Sequence, residues 1–597
     1  MSKYIDCKVR YERNLRRVTP PDPDLRLRVQ QPRIEVDRPV KNAITRICGA
    51  NVYNKTITEF RRSQMTEAAV IKDIMRLDYE PWDIIEDNIL TEAIDQAFTG
   101  LFGNKVFQPI HFCELRGYPW KWSKSACAPY IDDEATRHKL TDAFKAGDLV
   151  NDRPTFKNLR NQIFDENRLK IHQIKEGTEH DYIYDYLAFA RAHLVTGEDP
   201  DKIRFIYGTS KLTIFAECMF FWPFHNHLKN TLGKHNIAWG YETLSGGQYR
   251  LATDTPNTRF DSTICWDWSE FDKRFHFRLQ ELIFEKLLQF MDFKNGYHPT
   301  WEYPNSGPKT PEEAEQQHVR LTRLYKWMIR SIMDAAIRAP DGSRWIRLFT
   351  GLASGIFNTN FLDSIANLIV ILTVLSALGI QITKPDHLFI RVMGDDSIFR
   401  LIYSVQALGI INFVERFKYE AFRRFHFITN ESKTSITPTL EGSTFLGYFC
   451  RGLIPQRDPI KLLASLAYPE RKTNWQRLAA RCVGIAWASA YQDPMVYKTC
   501  EDVYNFITKT LKFKPDQRGA YWIEYLLGEI PEVDSFPTPQ QIMAKLLPTH
   551  DQLETGSMSS TQFIFSRSHY KAKVSALQKL GCWTSHPVTL DCPCLNE

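Results

Sequence analysis

The sequence predicts an α+β protein, and four stretches predict it. Leu388 to Ile402 reads as apolar strand, tight turn, apolar strand, with Gly394, Asp395 and Asp396 at the turn. Arg259 to Met291 reads as a β-rich run ending in Asp267, a short turn, and an amphipathic helix from Phe275. Helical spacing of apolar residues from about Thr66 to Phe102, and the apolar run Ile365 to Ile380, supply the helices. That run is short for a membrane span, follows Asp363 and is interrupted by Asn367, so it reads as a buried helix.

Size and composition set the frame. A chain of 597 residues is too long for one small core, and 38 Phe, 25 Tyr and 14 Trp mark a well-packed globular protein. The net charge of +6 excludes a general polycation. All of it is accounted for by the first fifty residues, with 12 Lys and Arg against 6 Asp and Glu. This segment, with its prolines, reads as an extended basic arm suited to phosphates or an acidic partner, or as a solvated tail over the body. Twelve scattered cysteines behind a polar N-terminus predict free thiols in a reducing setting. Cys582, His586, Cys592 and Cys594 have no common zinc spacing.

In chain order, Tyr118 to Tyr130 interleaves two Trp and two Lys with small residues. It reads either as a strand-stacking loop for nucleic acid or as an aromatic structural loop. Residues 131 to 200 look mainly helical. Lys202 to Lys211 alternates basic and apolar residues, so Lys202 and Arg204 share one strand face, where Arg and Lys suit a triphosphate. Asp267 ends its strand at a sheet edge, where ligands are commonly held, and Asp272 follows five residues on. Residues 296 to 317 read as an exposed insertion. Ser354 and Gly355 form a flexible loop opening the long helix, whose first turns align Thr359, Asp363 and Asn367. These polar groups need partners; a sugar or a base would serve, and so would a structural network capped by Ser354 or Asn358. A helix from about Gln406 to Phe425, Asn430 to Lys433, a strand pair near Ser443 to Cys450, and helices including Trp475 to Tyr491 and Tyr521 to Leu527 complete the chain.

Paired acids on a hairpin suit a hard cation such as Mg2+ better than they suit packing. With Asp267, the loop at Ser354 and Gly355, the basic strand and Lys433, they form the set that nucleotidyl transfer needs. In this set the chain resembles the viral RNA-dependent RNA polymerases, most closely the partitivirus-like polymerases of double-stranded RNA viruses. Asp267 to Asp272 (DWSEFD) is similar to that family's motif A. Ser354, Gly355, Thr359, Asp363, Ser364 and Asn367 are similar to motif B, and Gly394 to Ser397 to motif C. Phe445 to Tyr448, running on to Gly452, Pro455, Arg457, Leu462 to Ala464 and Tyr468 to Glu470, is the most family-specific stretch. Lys202 to Lys211 resembles motif F more loosely, and Ser125 to Pro129 resembles motif G faintly.

The resemblance implies a right-hand fold of fingers, palm and thumb, closed by fingertips reaching the thumb. The palm is expected to be an antiparallel sheet backed by helices. It divides the chain into a basic arm and fingertip connection (1–65), fingers (66–255), palm (256–293), a fingers insertion (294–350), palm again (351–455), and thumb with C-terminal region (456–597). It implies Asp267 and Asp395 as ligands of Mg2+ or Mn2+, with Asp396 supporting. Lys433 becomes a general acid, and Lys202, Arg204 and Lys211 become triphosphate contacts. Asp272, with Thr359 and a motif B polar residue (Asp363 or Asn367), is expected to read the ribose 2′-hydroxyl. Ser354 and Gly355 join this nucleotide site. The implied partners are RNA, ribonucleoside triphosphates and capsid protein, with no membrane, in the virion interior and host cytoplasm. One rival reading is a reverse transcriptase, which usually has an aromatic gate after the first acid and Tyr-x-Asp-Asp. The other is a non-catalytic RNA-binding or capsid-associated protein, which loss of Asp267 or Asp395 would favour; both are present.

Overall fold

One long buried helix joins two main sheets, and a helical C-terminal unit closes onto the N-terminal segment. The computed structural model describes residues 13–23, 35–178, 182–254, 262–300, 303, 307–383, 387–402, 405, 409–470 and 473–547. The Cys582, His586, Cys592 and Cys594 group, and residues 1–12 and 24–34 of the basic arm, lie outside these.

The elements that frame the site are, in chain order, β1 (Leu15–Thr19), α1 (Arg38–Tyr53), α2 (Glu67–Met75), β2 (Tyr186–Ala192), β3 (Ile203–Gly208), α3 (Lys211–Asn230), β4 (Ser262–Trp266), α4 (Phe271–Arg274), β5 (Ile337–Arg338), β6 (Arg344–Arg347), α5 (Thr359–Ala377), β7 (Leu388–Met393), β8 (Asp396–Leu401), α6 (Ile410–Phe425) and β9 (Ser435–Thr437).

The central sheet has strand order β7-β8-β4-β9, and every neighbouring pair is antiparallel. Its register fixes which residues emerge together at each end. Met393 faces Asp396 across the hairpin, Ser397 faces Trp266, and Ser435 faces Cys265. The residue after Trp266 therefore comes out beside the residue before Ser397. Asp267 and Asp396 share one end of the sheet, and Lys433, two residues before Ser435, returns to the same end. The turn requires a residue at positive φ, and Gly394 supplies it at +62°. On the back of the sheet, Phe417 of α6 packs its ring 4.1 Å from that of Trp266.

The core helix α5 is buried continuously from Phe361 to Leu375. Its length and hydropathy suit a membrane span, but its side chains are spent on the protein interior. The other main sheet has order β1-β6-β5-β2-β3 and places the basic strand β3 at an edge. Arg204 is exposed on that strand between buried Ile203 and Phe205, as alternation predicts.

The structure corrects three expectations and, for the loop at 118–130, favours the structural one of the two readings. Residues 131 to 200 are helical only over Glu134–Lys145 and Arg160–Glu176 before β2 begins, and Tyr186–Ala192 pairs in a sheet. Within 296–317, Tyr297 and Tyr303 are buried against the ring of His111, so this segment is not simply an exposed insertion. The described part of the basic arm is built into the body. Buried Asn14 accepts the N–H groups of Leu348, Phe349 and Thr350, and Val40, Ala43 and Ile44 of α1 join the C-terminal hydrophobic core. In the loop at 118–130, Trp122 packs on Phe156 and Phe164, and Trp120 on Phe215 and Phe357, so both indoles are structural.

The N-terminal segment also closes the molecule. Strand Phe60–Arg62 pairs with Leu194–Thr196, and Arg62 Nε donates to the Tyr468 carbonyl at 3.1 Å. A second link joins Lys121 to Glu524 at 3.1 Å.

Candidate active site

At the shared end of the central sheet lies a cavity of about 400 Å³. Its lining holds the acids Asp267, Glu270, Asp272, Asp363 and Asp395 and the cations Arg76, Lys202, Arg204 and Lys433. Eight of the residues singled out in the sequence thus meet in one place: Lys202, Arg204, Asp267, Asp272, Ser354, Asp363, Asp395 and Lys433.

Helix α5 sets the acid geometry by clamping the hairpin turn. Gly394 N–H donates to Ser364 Oγ at 2.8 Å, and Asn367 Nδ2 donates to the Gly394 carbonyl at 3.0 Å. The same Asn367 accepts the Trp268 indole N–H at 2.9 Å. One buried amide therefore binds the strand end carrying Asp267 to the turn carrying Asp395. Asp267 is held from its other side, where Asn430 Nδ2 donates to Oδ1 at 2.9 Å and Lys433 Nζ stands 3.5 Å from Oδ2.

The loop before α5 is fixed by close contact. A Cβ on Gly355 would lie 1.7 Å from the Tyr207 carbonyl oxygen, so glycine is needed there for approach rather than freedom. Tyr207 N–H donates to the Ser354 carbonyl at 3.2 Å, and Ser354 Oγ to the Phe205 carbonyl at 3.3 Å. The loop expected to be flexible is thus tied to the basic strand. The start of α5 is not capped by Ser354 or Asn358. Buried Glu217 of α3 accepts the N–H groups of Phe357 at 2.9 Å and Asn358 at 3.2 Å.

Charges of both signs are crowded. Burial pushes Asp363 well above the usual carboxylate range, and Asp272 and Asp395 push it further. Burial and Asp272 raise Asp395, and burial raises Asp272 against the pull of Lys273 and Arg204. Asp396 is pushed up to about 7 by burial and by Asp395 and Asp267, against Lys433. Among the cations, burial and the neighbouring Arg76, Arg204 and Lys433 pull Lys202 down. Two ion pairs join the groups, Lys433 with Asp267 and Arg76 with Glu270, while Asp363 is crowded by other acids. Oδ1 of Asp363 is buried with no hydrogen-bond partner. Among the described residues no three His, Cys, Asp or Glu side chains form a closed cage by themselves. Hard oxygen donors in an open arrangement fit a cation such as Mg2+, which takes one or two carboxylates and completes its shell with phosphate oxygens and water.

The model of the viral RNA-dependent RNA polymerase family matches residues 118–509. The chain belongs to that family. It is 29% identical over 548 residues to an RNA-directed RNA polymerase of White clover cryptic virus 1, covering 84% of this chain and 87% of the relative. It is 27% identical over 444 residues to an RNA-directed RNA polymerase of Atkinsonella hypoxylon virus, covering 68% of this chain and 65% of that one. The fold is similar to that of a Sicinivirus 3Dpol RNA-dependent RNA polymerase, with a TM-score of 0.54 at 17% identity, over 86% of this chain and 99% of that one. The fold is the polymerase right hand, and the enzyme is an RNA-directed RNA polymerase of a family that uses divalent metal ions.

Three residues expected at the nucleotide site of this polymerase have other partners. Lys211 is buried, with Nζ over the Phe156 ring and 3.8 Å from Cys127 Sγ. Thr359 Oγ1 accepts the Gly355 N–H at 3.1 Å and lies within hydrogen-bond reach of the Ala353 and Ile356 carbonyls, so it braces the loop. Asn367 is consumed by the clamp, which leaves Asp363 as the motif B side chain lining the cavity near Asp272. Sequence reasoning missed Arg76 and Glu270 in the wall, and Asp73 beneath it. Asp73 Oδ1 accepts Lys273 Nζ at 2.9 Å, and Oδ2 accepts the Phe205 N–H at 3.1 Å. Glu270 stood inside the DWSEFD stretch; Asp73 and Arg76 sat in an ordinary helical pattern that gave no signal.

Proposed function

We propose that this polymerase replicates and transcribes the genome of a double-stranded RNA virus, using Mg2+ (Mn2+ in its place) held by Asp267 and Asp395 with Asp396 in support. The observation that carries it is the convergence of acids and cations on one cavity, where Asp272 and Asp395 push Asp363 up beyond its burial and Arg76, Arg204 and Lys433 pull Lys202 down beyond its burial. A magnesium nucleotide supplies the opposite of each. Ions held by Asp267 and Asp395 would lower the pKa of the attacking 3′-hydroxyl and offset charge on the departing pyrophosphate.

The chain's own groups do the rest. Lys202 and Arg204 hold the triphosphate, Arg by its fork and Lys as a point charge. Asp272 and Asp363 stand where a ribose 2′-hydroxyl donor distinguishes RNA precursors from DNA precursors. Lys433 gives a proton to the leaving pyrophosphate oxygen. The preceding loop at Ser354 and Gly355 keeps this floor at a fixed distance from the basic strand. We assign residues 66–255 and 294–350 to the fingers, 256–293 and 351–455 to the palm, and 456–547 together with α1 to the thumb side. The enzyme works inside the virion, in the host cytoplasm, with capsid protein as partner; co-purification with assembled particles tests this.

The test of function is incorporation by purified protein on a single-stranded RNA template with Mg2+, using ribo- and deoxyribonucleotides. Template-dependent ribonucleotide product is expected. Tight RNA binding with no product in Mg2+ or Mn2+, with or without capsid, overturns the reading in favour of a binding protein, and a deoxyribonucleotide product favours a reverse transcriptase.

A further inference from the structure

We infer that Arg76 is a further substrate-contacting residue, gripping the triphosphate of the incoming nucleotide, with Glu270 as the counter-ion it leaves when the nucleotide arrives. This rests on the polymerase reading of the cavity.

Arg76 follows α2, outside the 118–509 stretch that matches the family. Its side chain is 31% exposed and lines the main cavity. It also lines a second cavity of about 380 Å³ and shares that boundary with Lys202. Arg76 thus stands at the join of the two cavities beside Lys202, where an anion entering either one meets both cations.

In this structure the anions are internal. Arg76 Nε donates to Glu270 Oε1 at 2.5 Å, and Nη1 donates to Asp73 Oδ1 at 3.2 Å. Glu270 Oε2 accepts the Tyr79 hydroxyl at 2.8 Å. Glu270 sits at φ +59°, in the left-handed region that a residue with a Cβ seldom adopts. Its carbonyl accepts the N–H groups of Lys273 and Arg274, both at 3.0 Å, and so holds the turn carrying Asp272. The Arg76–Glu270 pair therefore spans from α2 to the residue two before the proposed 2′-hydroxyl reader. A triphosphate offers the guanidinium more negative oxygens than one carboxylate does, in geometry its fork matches. Transfer of Arg76 from Glu270 to phosphate frees the backbone next to Asp272 to adjust as the nucleotide seats.

Steady-state incorporation on an RNA template at varied nucleotide concentration tests this. R76A is expected to raise KM for the nucleotide about tenfold with kcat changed by less than about threefold, the loss of one charge-assisted contact. R76K, which keeps the charge and loses the fork, is expected to fall between, and carries the test if R76A melts early. E270Q releases the guanidinium and is expected to lower KM. The proposal is overturned if both Arg76 variants leave KM unchanged, or if R76A and E270Q lower kcat alike at constant KM, the mark of a strut. A wild-type enzyme that incorporates nothing overturns the polymerase reading itself, which separates the two failures.

Discussion

The acid bank and the cation bank of the cavity are held in different ways. Asp267 and Asp395 stand on backbone whose position is fixed by strand register and by the clamp of Ser364 and Asn367 on Gly394. The cations arrive on long side chains from separate elements: Arg76 after α2, Lys202 and Arg204 at β3, and Lys433 before β9. Two of them are moored to acids of the cavity, Arg76 to Glu270 and Lys433 to Asp267. As the proposed metal ligands these acids must hold a spacing set by the ion, which backbone fixed by register and clamp serves. Triphosphate contacts must close on a substrate and let pyrophosphate go, so side chains with alternative partners serve better.

Removing one group from the acid bank and one from beneath the cations breaks this comparison most sharply. Asp395→Asn is expected to lower incorporation about a thousandfold or more, since an ion's stabilisation of transition-state charge is worth several kcal/mol. It is expected to leave the melting temperature, measured in chelator, unchanged or higher. The sign comes from the raised pKa of Asp395: its charged form is disfavoured in the fold by burial and Asp272, so a neutral amide relieves strain. Under the cation bank the reverse holds. Asp73→Asn leaves Lys273 buried without its ion pair and is expected to cost about 3 kcal/mol of stability. Denaturant unfolding checks it, and a small loss with intact nucleotide KM would mean that the Asp73 joint does not position β3.

A third substitution asks whether the floor of the cavity reads sugar. Asp272→Ala is expected to reduce the preference for ribo- over deoxyribonucleotides about tenfold, the worth of one hydrogen bond to a charged group. Competition between the two nucleotides measures it directly, and an unchanged ratio would shift the assignment to Asp363.

The same contrast explains what could be read from the sequence. The acids were legible because they lie in continuous runs, DWSEFD and GDD, whose local chemistry has no use in packing. Gly394 was legible through its turn. Lys202 and Arg204 were legible through alternation in one strand. The clamp was half legible: Asn367 stood out as a polar group on an apolar helix, but its partners Trp268 and Gly394 lie 99 and 27 residues away. Lys211 was misjudged because a cation in a basic strand segment looks like its neighbours until Phe156 folds under it. Arg76 and Asp73 were invisible because nothing near them in sequence marks them; their meaning comes from Glu270, Lys273 and Phe205, more than a hundred residues on.

Glu217 is the mildest test and concerns the support of the acid bank alone. Its carboxyl is fully buried, its pKa is pushed up to about 8 by that burial, and its oxygens accept the N–H groups that open α5. The backbone hydrogen bonds pull the pKa down but do not offset the burial. An acid whose folded pKa lies above its unfolded value binds its proton more tightly in the fold. Its contribution to stability is therefore present below the unfolded value near 4.5 and is lost as pH rises through about 8. Melting temperature in the wild type is expected to fall as pH is raised from about 5 to about 8. Glu217→Gln cannot ionise, so its profile over that range is expected to be flatter, even if it melts lower at pH 6 for want of one acceptor. Parallel profiles would show that the start of α5 tolerates the charge. Nucleotide KM in the variant should stay near wild type, because Asp73 still holds β3 at Phe205 and Glu270 still holds Arg76.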